Sequence, residues 1–125
     1  MKNIMPTEAE EQAALFHWAR LMQGKHPELA LLHHIPNGGY RNKREAASLQ
    51  REGVKAGVPD ICLPVARNGC HGLYIELKRR KGGRLSPSQA CWMERLQKQG
   101  YQVAVCYGWE EAKTIILRYL KNGKE

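Results

Sequence analysis

A strong β-hairpin signal near the middle of the chain limits the possible folds more than any other feature of the sequence. Asn68-Gly69 is typical of a two-residue hairpin turn, because both residue types tolerate a positive φ. Apolar segments flank it at residues 61–65 and 73–78. Pro64 indicates that the first strand is an edge strand or is bulged at that point. The sequence therefore predicts an antiparallel pair of short strands.

The segments around this hairpin alternate between helix and strand patterns. Helix starts are marked by polar capping residues at Thr7, Asn42 and Ser86, each with Glu or Gln three positions later. Helices are predicted at residues 7–24, 42–53, 86–100 and 109–120, and further strands at 29–35 and 103–107. The last strand is apolar throughout, which predicts burial on both faces. The predicted class is α/β, with a central mixed β-sheet flanked by α-helices.

Two acids and a lysine are predicted to meet on the hairpin. Glu76 and Lys78 point to the same face of their strand, because strand side chains alternate. Their Cα atoms should lie about 6.5–7 Å apart. If the turn is centred on Asn68, Asp60 lies opposite Glu76. If it is centred between Asn68 and Gly69, Asp60 lies opposite Leu77 and diagonal to Glu76. Either register brings the two carboxylates close.

A divalent cation is the natural partner of such a pair, because adjacent carboxylates repel each other unless a cation lies between them. Mg²⁺ prefers oxygen ligands and borrows phosphate oxygens, and Mn²⁺ binds the same ligands. Lys78 could position or deprotonate a nucleophile, or stabilise charge on a phosphate. Glu-x-Lys alone also fits a solvated charge pattern, and Pro-Asp alone fits an ordinary turn. Their joint placement favours a metal-dependent nuclease.

The charge of the chain points to a polyanion as partner. Lys and Arg total 20 against 12 Asp and Glu, giving a net charge of +8. A simply basic, soluble protein is the alternative. No apolar segment approaches the length of a membrane span or a signal peptide, so we expect a cytoplasmic protein and no membrane partner. The predicted DNA contacts, any of which could instead be solvated or form a turn, are Asn37, Arg41, Lys43, Arg44, Lys55, Arg79, Arg80, Lys81 and Arg84.

Other polar residues are weaker candidates. Glu11 lies on the apolar stripe of the first helix, and a carboxylate there requires a partner. His33 and His34 lead into the turn at Asn37, so one of them could approach the site. The four cysteines lack the paired spacing of a zinc site.

The pattern Pro-Asp followed by Glu-x-Lys resembles the PD-(D/E)XK nuclease superfamily. The fuller set of motifs resembles the VRR-NUC nuclease family in its short stand-alone phage and bacterial form. The matching segments follow one another in the expected order and cover most of the chain. They are Glu11-Gln12, residues 35–39, Arg41-Asn42, and residues 53–60, 75–78 and 85–89.

This resemblance implies a restriction-endonuclease-like core, a single nuclease domain over residues 1–125, and dependence on Mg²⁺ or Mn²⁺. It implies metal ligands at Asp60, Glu76 and the Leu77 backbone carbonyl, and a catalytic Lys78. The acid of the first helix maps to Glu11, with Glu8 one turn away as the alternative. Gln89 matches a family glutamine beside the site, and it equally fits a helix cap.

The resemblance further implies DNA as the substrate, specifically branched DNA such as a Holliday junction, and a homodimer. A two-fold dimer presents two equal active sites to opposed strands. The expected setting is the cytoplasm of a bacterial or phage-infected cell. The main alternative is a catalytically silent nucleic-acid-binding module on the same fold. A metal hydrolase with another substrate is less favoured by the basic surface.

Overall fold

The computed structural model describes residues 4–36 and 42–122. Four α-helices, one short 3₁₀ helix and four strands are present in these residues. In chain order they are α1 (Glu8–Met22), the 3₁₀ helix (Pro27–Leu31), β1 (His33–His34), α2 (Lys43–Arg51), β2 (Ile61–Leu63), β3 (Leu73–Lys78), α3 (Pro87–Lys98), β4 (Gln102–Tyr107) and α4 (Trp109–Lys121). The predicted helix starts are confirmed, since Thr7, Asn42 and Ser86 all cap their helices through the side chain.

The strands form one mixed sheet in the order β1-β2-β3-β4. β1 and β3 run antiparallel to β2, and β4 runs parallel to β3. Helices α1 and α4 contact each other and β3, while α3 contacts β4. The predicted α/β class, a mixed sheet flanked by helices, is confirmed. None of the described helices is long and apolar enough to cross a membrane.

The β2–β3 hairpin contains a bulge that sets its register. Asn68 and Gly69 both have positive φ, at 48° and 79°, and Arg67 pairs with Cys70 across the turn. The turn is therefore centred between residues 68 and 69. Residues 64–66 nevertheless face only residues 71–72, so one extra residue shifts the ladder, and Ile61 pairs with Ile75. Because β2 has neighbours on both sides, Pro64 marks a bulge and not an edge.

The core lies between the sheet and the α1/α4 pair. Leu73, Ile75 and Leu77 point to this side of β3 and are buried. They meet Leu15 of α1 and Ile116 of α4, both fully buried. Truncating such a residue to Ala costs about 2–5 kcal/mol. The alternating residues of β3 are left to face α3, and that face carries the polar groups of the site.

The prediction of a strand over residues 29–35 is wrong. The chain forms a 3₁₀ helix at Pro27–Leu31 and only two residues of strand, His33–His34. Pro27 begins the helix, and Leu29 and Leu32 are buried three residues apart, which is the spacing of a 3₁₀ helix and not of a strand.

The predicted burial of β4 on both faces is also wrong. Only Cys106 of this strand is buried, and Tyr107 is 39% exposed. The reason is position, because β4 lies at the edge of the sheet with no further strand beside it among the described residues. An apolar strand sequence alone does not distinguish an edge strand from a central one.

Candidate active site

Asp60 and Glu76 lie side by side where β2 begins and β3 nears its end. Asp60 directly precedes β2, and its Oδ2 accepts a hydrogen bond from the Leu77 backbone N–H at 3.0 Å. Glu76 is 2% exposed and points to the α3 side of the sheet, away from the core. The structure therefore brings these two predicted residues together. The backbone of Leu77 contacts Asp60, while its side chain lies in the core.

Lys78 and Gln89 complete a polar cluster with Glu76. The Lys78 ammonium donates to Gln89 Oε1 at 3.0 Å and lies 3.6 Å from Glu76 Oε2. Gln89 Nε2 donates to the same Glu76 oxygen at 3.0 Å. The Ser86 backbone N–H also donates to Gln89 Oε1, and because an N–H can only donate, this contact fixes which end of the amide is the oxygen.

Gln89 therefore has both roles that its sequence context allows. It is the third residue of the capping box that begins α3, and it also orients the acid and the lysine. The segment before Asp60 is held against the same helix start. Gly57 has φ of 93°, and a Cβ there would lie 2.7 Å from the Ser88 carbonyl carbon, so only glycine fits this approach.

The electrostatics of Glu76 are unusual. Burial, and after it the neighbouring charge of Asp60, raises the pKa of Glu76 to about 8, although Lys78 opposes this. Glu76 Oε1 is buried and has no hydrogen-bond partner. A buried acceptor without a partner is costly, so this oxygen is a good candidate ligand for a cation.

The donor set suits a hard cation. The two carboxylates, and the Leu77 backbone carbonyl that the family resemblance implies as a further ligand, offer only oxygen, which Mg²⁺ and Mn²⁺ accept. Three or more His, Cys, Asp or Glu side chains do not cluster anywhere among residues 4–36 and 42–122. Water and substrate oxygens would therefore have to complete the coordination, as is usual for Mg²⁺.

Glu11 does not contact this pair. Its carboxylate is buried, and its two oxygens accept from Arg80 Nε at 2.9 Å and from the Trp109 backbone N–H at 3.1 Å. The partner that the sequence required for this acid is therefore an arginine and a helix N-terminus. Glu8, the alternative acid of α1, is exposed at the start of the helix.

The predicted DNA contacts fall on two exposed stretches. Lys43 and Arg44 begin α2, a helix without a buried residue, and Lys55 follows it. Arg79, Lys81 and Arg84 are exposed in the segment between β3 and α3. Arg80, in the same segment, is instead engaged by Glu11 and Glu110. Asn37 and Arg41 lie outside the described residues.

His34 is a neighbour of the site that the sequence does not identify on its own. His34 Nδ1 lies 2.9 Å from the Asp60 backbone carbonyl, and because a carbonyl only accepts, this nitrogen carries the proton. The Ile35 N–H donates to the same carbonyl at 2.6 Å. Together they fix the backbone at Asp60. Because His33 and His34 both lie close to the predicted turn, the sequence indicates that one of them approaches the site. It does not indicate which one.

Comparison with known proteins identifies the same architecture. The family model of the VRR-NUC domain matches residues 7–110. A solved structure described as a VRR_NUC domain protein superposes with a TM-score of 0.83 and 34% sequence identity, over 99% of this chain and 94% of that one. No curated protein gives a significant match. The match of 7–110 contains Asp60, Glu76, Lys78 and Gln89.

Proposed function

The chain belongs to the VRR-NUC domain family, a family of nuclease domains that act on DNA, and we propose that it is a Mg²⁺- or Mn²⁺-dependent DNA endonuclease. One observation carries the proposal. The buried Glu76 has a partnerless oxygen, a neighbouring carboxylate and a lysine within 3.6 Å. A protein that only bound DNA would have no need of paired acids facing a negatively charged ligand.

Asp60, Glu76 and the Leu77 backbone carbonyl are the groups that would hold the cation. When bound, such a cation lowers the pKa of water and neutralises charge on a phosphate. Glu11 is not needed for this set, since both its oxygens already have donors.

Lys78 supplies a second positive charge at the site. Its ammonium is held by Gln89 Oε1 and by the nearby Glu76, which leaves further N–H donor capacity for a phosphate oxygen. A preorganised cation stabilises the charge that develops on phosphorus oxygens during the displacement. Gln89 keeps the lysine and the acid in register, since it bonds both.

The exposed basic residues supply affinity for DNA. One group precedes Asp60 in the sequence and consists of Lys43, Arg44 and Lys55. The other group follows Lys78 and consists of Arg79, Lys81 and Arg84. Contacts of this kind read phosphates and not base sequence. The logarithm of the binding constant should therefore fall linearly with the logarithm of the salt concentration. The slope should be about −0.9 for each phosphate contact to duplex DNA.

We further propose that the substrate is branched DNA such as a Holliday junction, cut by a homodimer in the cytoplasm of a bacterial or phage-infected cell. The support is the resemblance to the stand-alone VRR-NUC nucleases together with symmetry. A two-fold dimer presents two equal sites, as the two opposed strands of a four-way junction require.

Cleavage of a panel of labelled DNAs tests this function. The panel contains four-way junctions, flaps, nicked duplexes and linear duplexes, each incubated with Mg²⁺, Mn²⁺ or EDTA. We expect cleavage of branched DNA with either metal, none in EDTA, and none by Lys78→Ala. Lys98→Ala is the matched control, because it removes the same charge from an exposed ion pair with Glu94.

Each part of the proposal can fail separately. Binding without cleavage would support the silent module, and cleavage by Lys78→Ala would reassign the chemistry. Equal cleavage of linear and branched DNA would remove the structure specificity. A monomeric mass by light scattering, with and without DNA, would remove the paired cutting.

A further inference from the structure

A second polar cluster lies at the C-terminal end of β3, separate from the Asp60–Glu76 pair. Its centre is Glu11, whose side chain is completely buried. An ionised carboxylate in such a place needs charged or hydrogen-bonding partners. Arg80 Nε and the Trp109 N–H provide them, one for each oxygen. This acid therefore ties α1 to the start of α4 and to the segment that follows β3.

Arg80 is held at several points along its length. Its Nη2 donates to Glu110 Oε1 at 3.3 Å, in addition to the Nε contact with Glu11. Its aliphatic part crosses Gly108, where an added Cβ would lie 3.0 Å from Arg80 Cγ. Gly108 has φ of 92°, and its N–H donates to the Lys78 carbonyl at 2.9 Å. Arg80 thus covers the backbone that holds the end of β3.

The same segment packs around the Lys78 side chain. Residues 80–82 form a turn, which returns the chain so that Gly83 lies beside Lys78. A Cβ at Gly83 would lie 2.9 Å from Lys78 Cβ and 3.4 Å from its Cδ. The stem of the lysine is therefore enclosed by the segment that Arg80 anchors. Displacement of this segment would therefore remove one wall of the lysine stem, whose ammonium is held at its far end by Gln89 and Glu76.

We propose that Arg80 is a positioning residue for Lys78 and not a phosphate contact, and that Glu11 is its anchor and not a metal ligand. This rests on the proposed function only in that Lys78 is taken as the acting cation. Within residues 4–36 and 42–122, Arg79, Lys81 and Arg84 form no ion pair, so their charges remain available to DNA. Arg80 differs from these neighbours in sequence because its guanidinium already bridges two carboxylates.

The test separates phosphate contact from positioning with four variants. They are Arg80→Ala, Arg80→Lys, Arg79→Ala as the neighbouring comparison, and Lys98→Ala as the control for loss of one paired charge. Binding to labelled duplex DNA is measured in EDTA over a range of NaCl concentrations. We expect Arg79→Ala to lower the log–log salt slope by about 1, and both Arg80 variants to leave it unchanged. Lys98→Ala should also leave it unchanged.

Cleavage kinetics provide the second measurement. We expect Arg80→Ala to lower kcat by about 10- to 100-fold with little change in KM, since a misplaced catalytic group costs rate and not affinity. Arg80→Lys keeps the aliphatic stem and one ion pair, so its kcat should lie between those of the wild-type protein and Arg80→Ala. If Arg80→Ala does not fold, Arg80→Lys is measured in its place. Adding Glu11→Gln to Arg80→Ala should lower kcat little further.

A salt slope that falls by about 1 in Arg80→Ala, with kcat at saturating DNA equal to wild type, would overturn the proposal. The proposal and the proposed function fail differently. If the wild-type protein binds DNA but never cuts it, the proposed function has failed. The role of Arg80 is then measured by the salt slope and by the NMR shifts of the Gly83 amide and of Lys78 Cε. Positioning requires that Arg80→Ala move these shifts and Arg79→Ala not, and unmoved shifts in Arg80→Ala would contradict it.

Discussion

Glu11 and Glu76 are the two buried acids among the described residues, and they differ in how their oxygens are satisfied. Glu11 has a donor on each oxygen, one from an arginine and one from a helix N-terminus. Glu76 has the Gln89 amide and the Lys78 ammonium on one oxygen and no hydrogen bond on the other, with a second carboxylate alongside. A satisfied buried acid stabilises a fold, whereas an unsatisfied acid beside another acid is a site prepared for a ligand.

Substitution of the unsatisfied pair should have the largest effect. We expect Glu76→Gln and Asp60→Asn each to lower the cleavage rate on the order of 10³-fold, because charge stabilisation at the phosphate is lost. The rate is measured in single-turnover assays with Mg²⁺. Loss of less than tenfold in both variants would mean that this pair is not the centre of the reaction.

The pH dependence of metal binding should be nearly as large. With the pKa of Glu76 at about 8, the acid holds a proton at neutral pH that a metal must displace. We expect Mn²⁺ affinity, measured by calorimetry, to rise up to about tenfold for each pH unit from about 6 to 8 and then to level off. Affinity that is flat over this range would contradict the raised pKa.

The raised pKa of Glu76 also makes the stability of the metal-free protein depend on pH. Stability should fall as pH rises, whereas metal affinity should increase. Unfolded Glu76 loses its proton near its ordinary pKa of 4.5, while the folded protein holds it until about 8. The free energy of unfolding contributed by this group is therefore full below pH 4.5 and decreases as pH rises to about 8. Denaturant unfolding at a series of pH values checks this, and Glu76→Gln should remove the dependence.

Glu11→Gln and Glu76→Gln should affect the free energy of unfolding differently. We expect it to lower the free energy of unfolding by about 1–3 kcal/mol, because one buried partner of Arg80 loses its charge. Glu76→Gln should be neutral or stabilising without metal, since it removes an acid next to an acid. Equal destabilisation by both substitutions, measured in urea, would show that the two acids do not differ as described.

The smallest expected effect separates the two roles of Gln89. Ser86→Ala removes the side-chain cap of α3 and should cost about 1 kcal/mol of stability, with little loss of cleavage. Gln89→Ala removes the cap partner and both contacts to Glu76 and Lys78, so it should lower kcat as well. If Ser86→Ala and Gln89→Ala reduced kcat equally, the glutamine would act only through the helix.

Local patterns predicted those parts of the fold that depend on neighbouring residues. The caps at Thr7, Asn42 and Ser86 and the turn at Asn68-Gly69 all form as their residue types indicate. The sequence leaves the register of the hairpin open, because the turn could be centred on Asn68 or between Asn68 and Gly69. The turn is centred between residues 68 and 69, but the bulge after Leu63 adds one residue, and this register places Asp60 directly opposite Glu76.

Features that depend on distant residues could not be predicted. The position of β4 at the sheet edge is a property of strand order. From its neighbours in sequence, Arg80 cannot be distinguished from the other basic residues of its loop. Its partners, Glu11 and Glu110, lie 69 and 30 positions away in the chain. The sequence indicated that Glu11 needs a partner, but only the tertiary structure identifies the arginine.

Metal binding by the two buried-acid variants decides whether Glu76, and not Glu11, belongs to the metal site. Mn²⁺ titration of wild-type protein, Glu76→Gln and Glu11→Gln, each confirmed as folded, compares the two acids in one measurement. We expect Glu76→Gln to abolish Mn²⁺ binding and Glu11→Gln to bind Mn²⁺ with nearly wild-type affinity. Undiminished binding by Glu76→Gln, or equal loss in both variants, would contradict it.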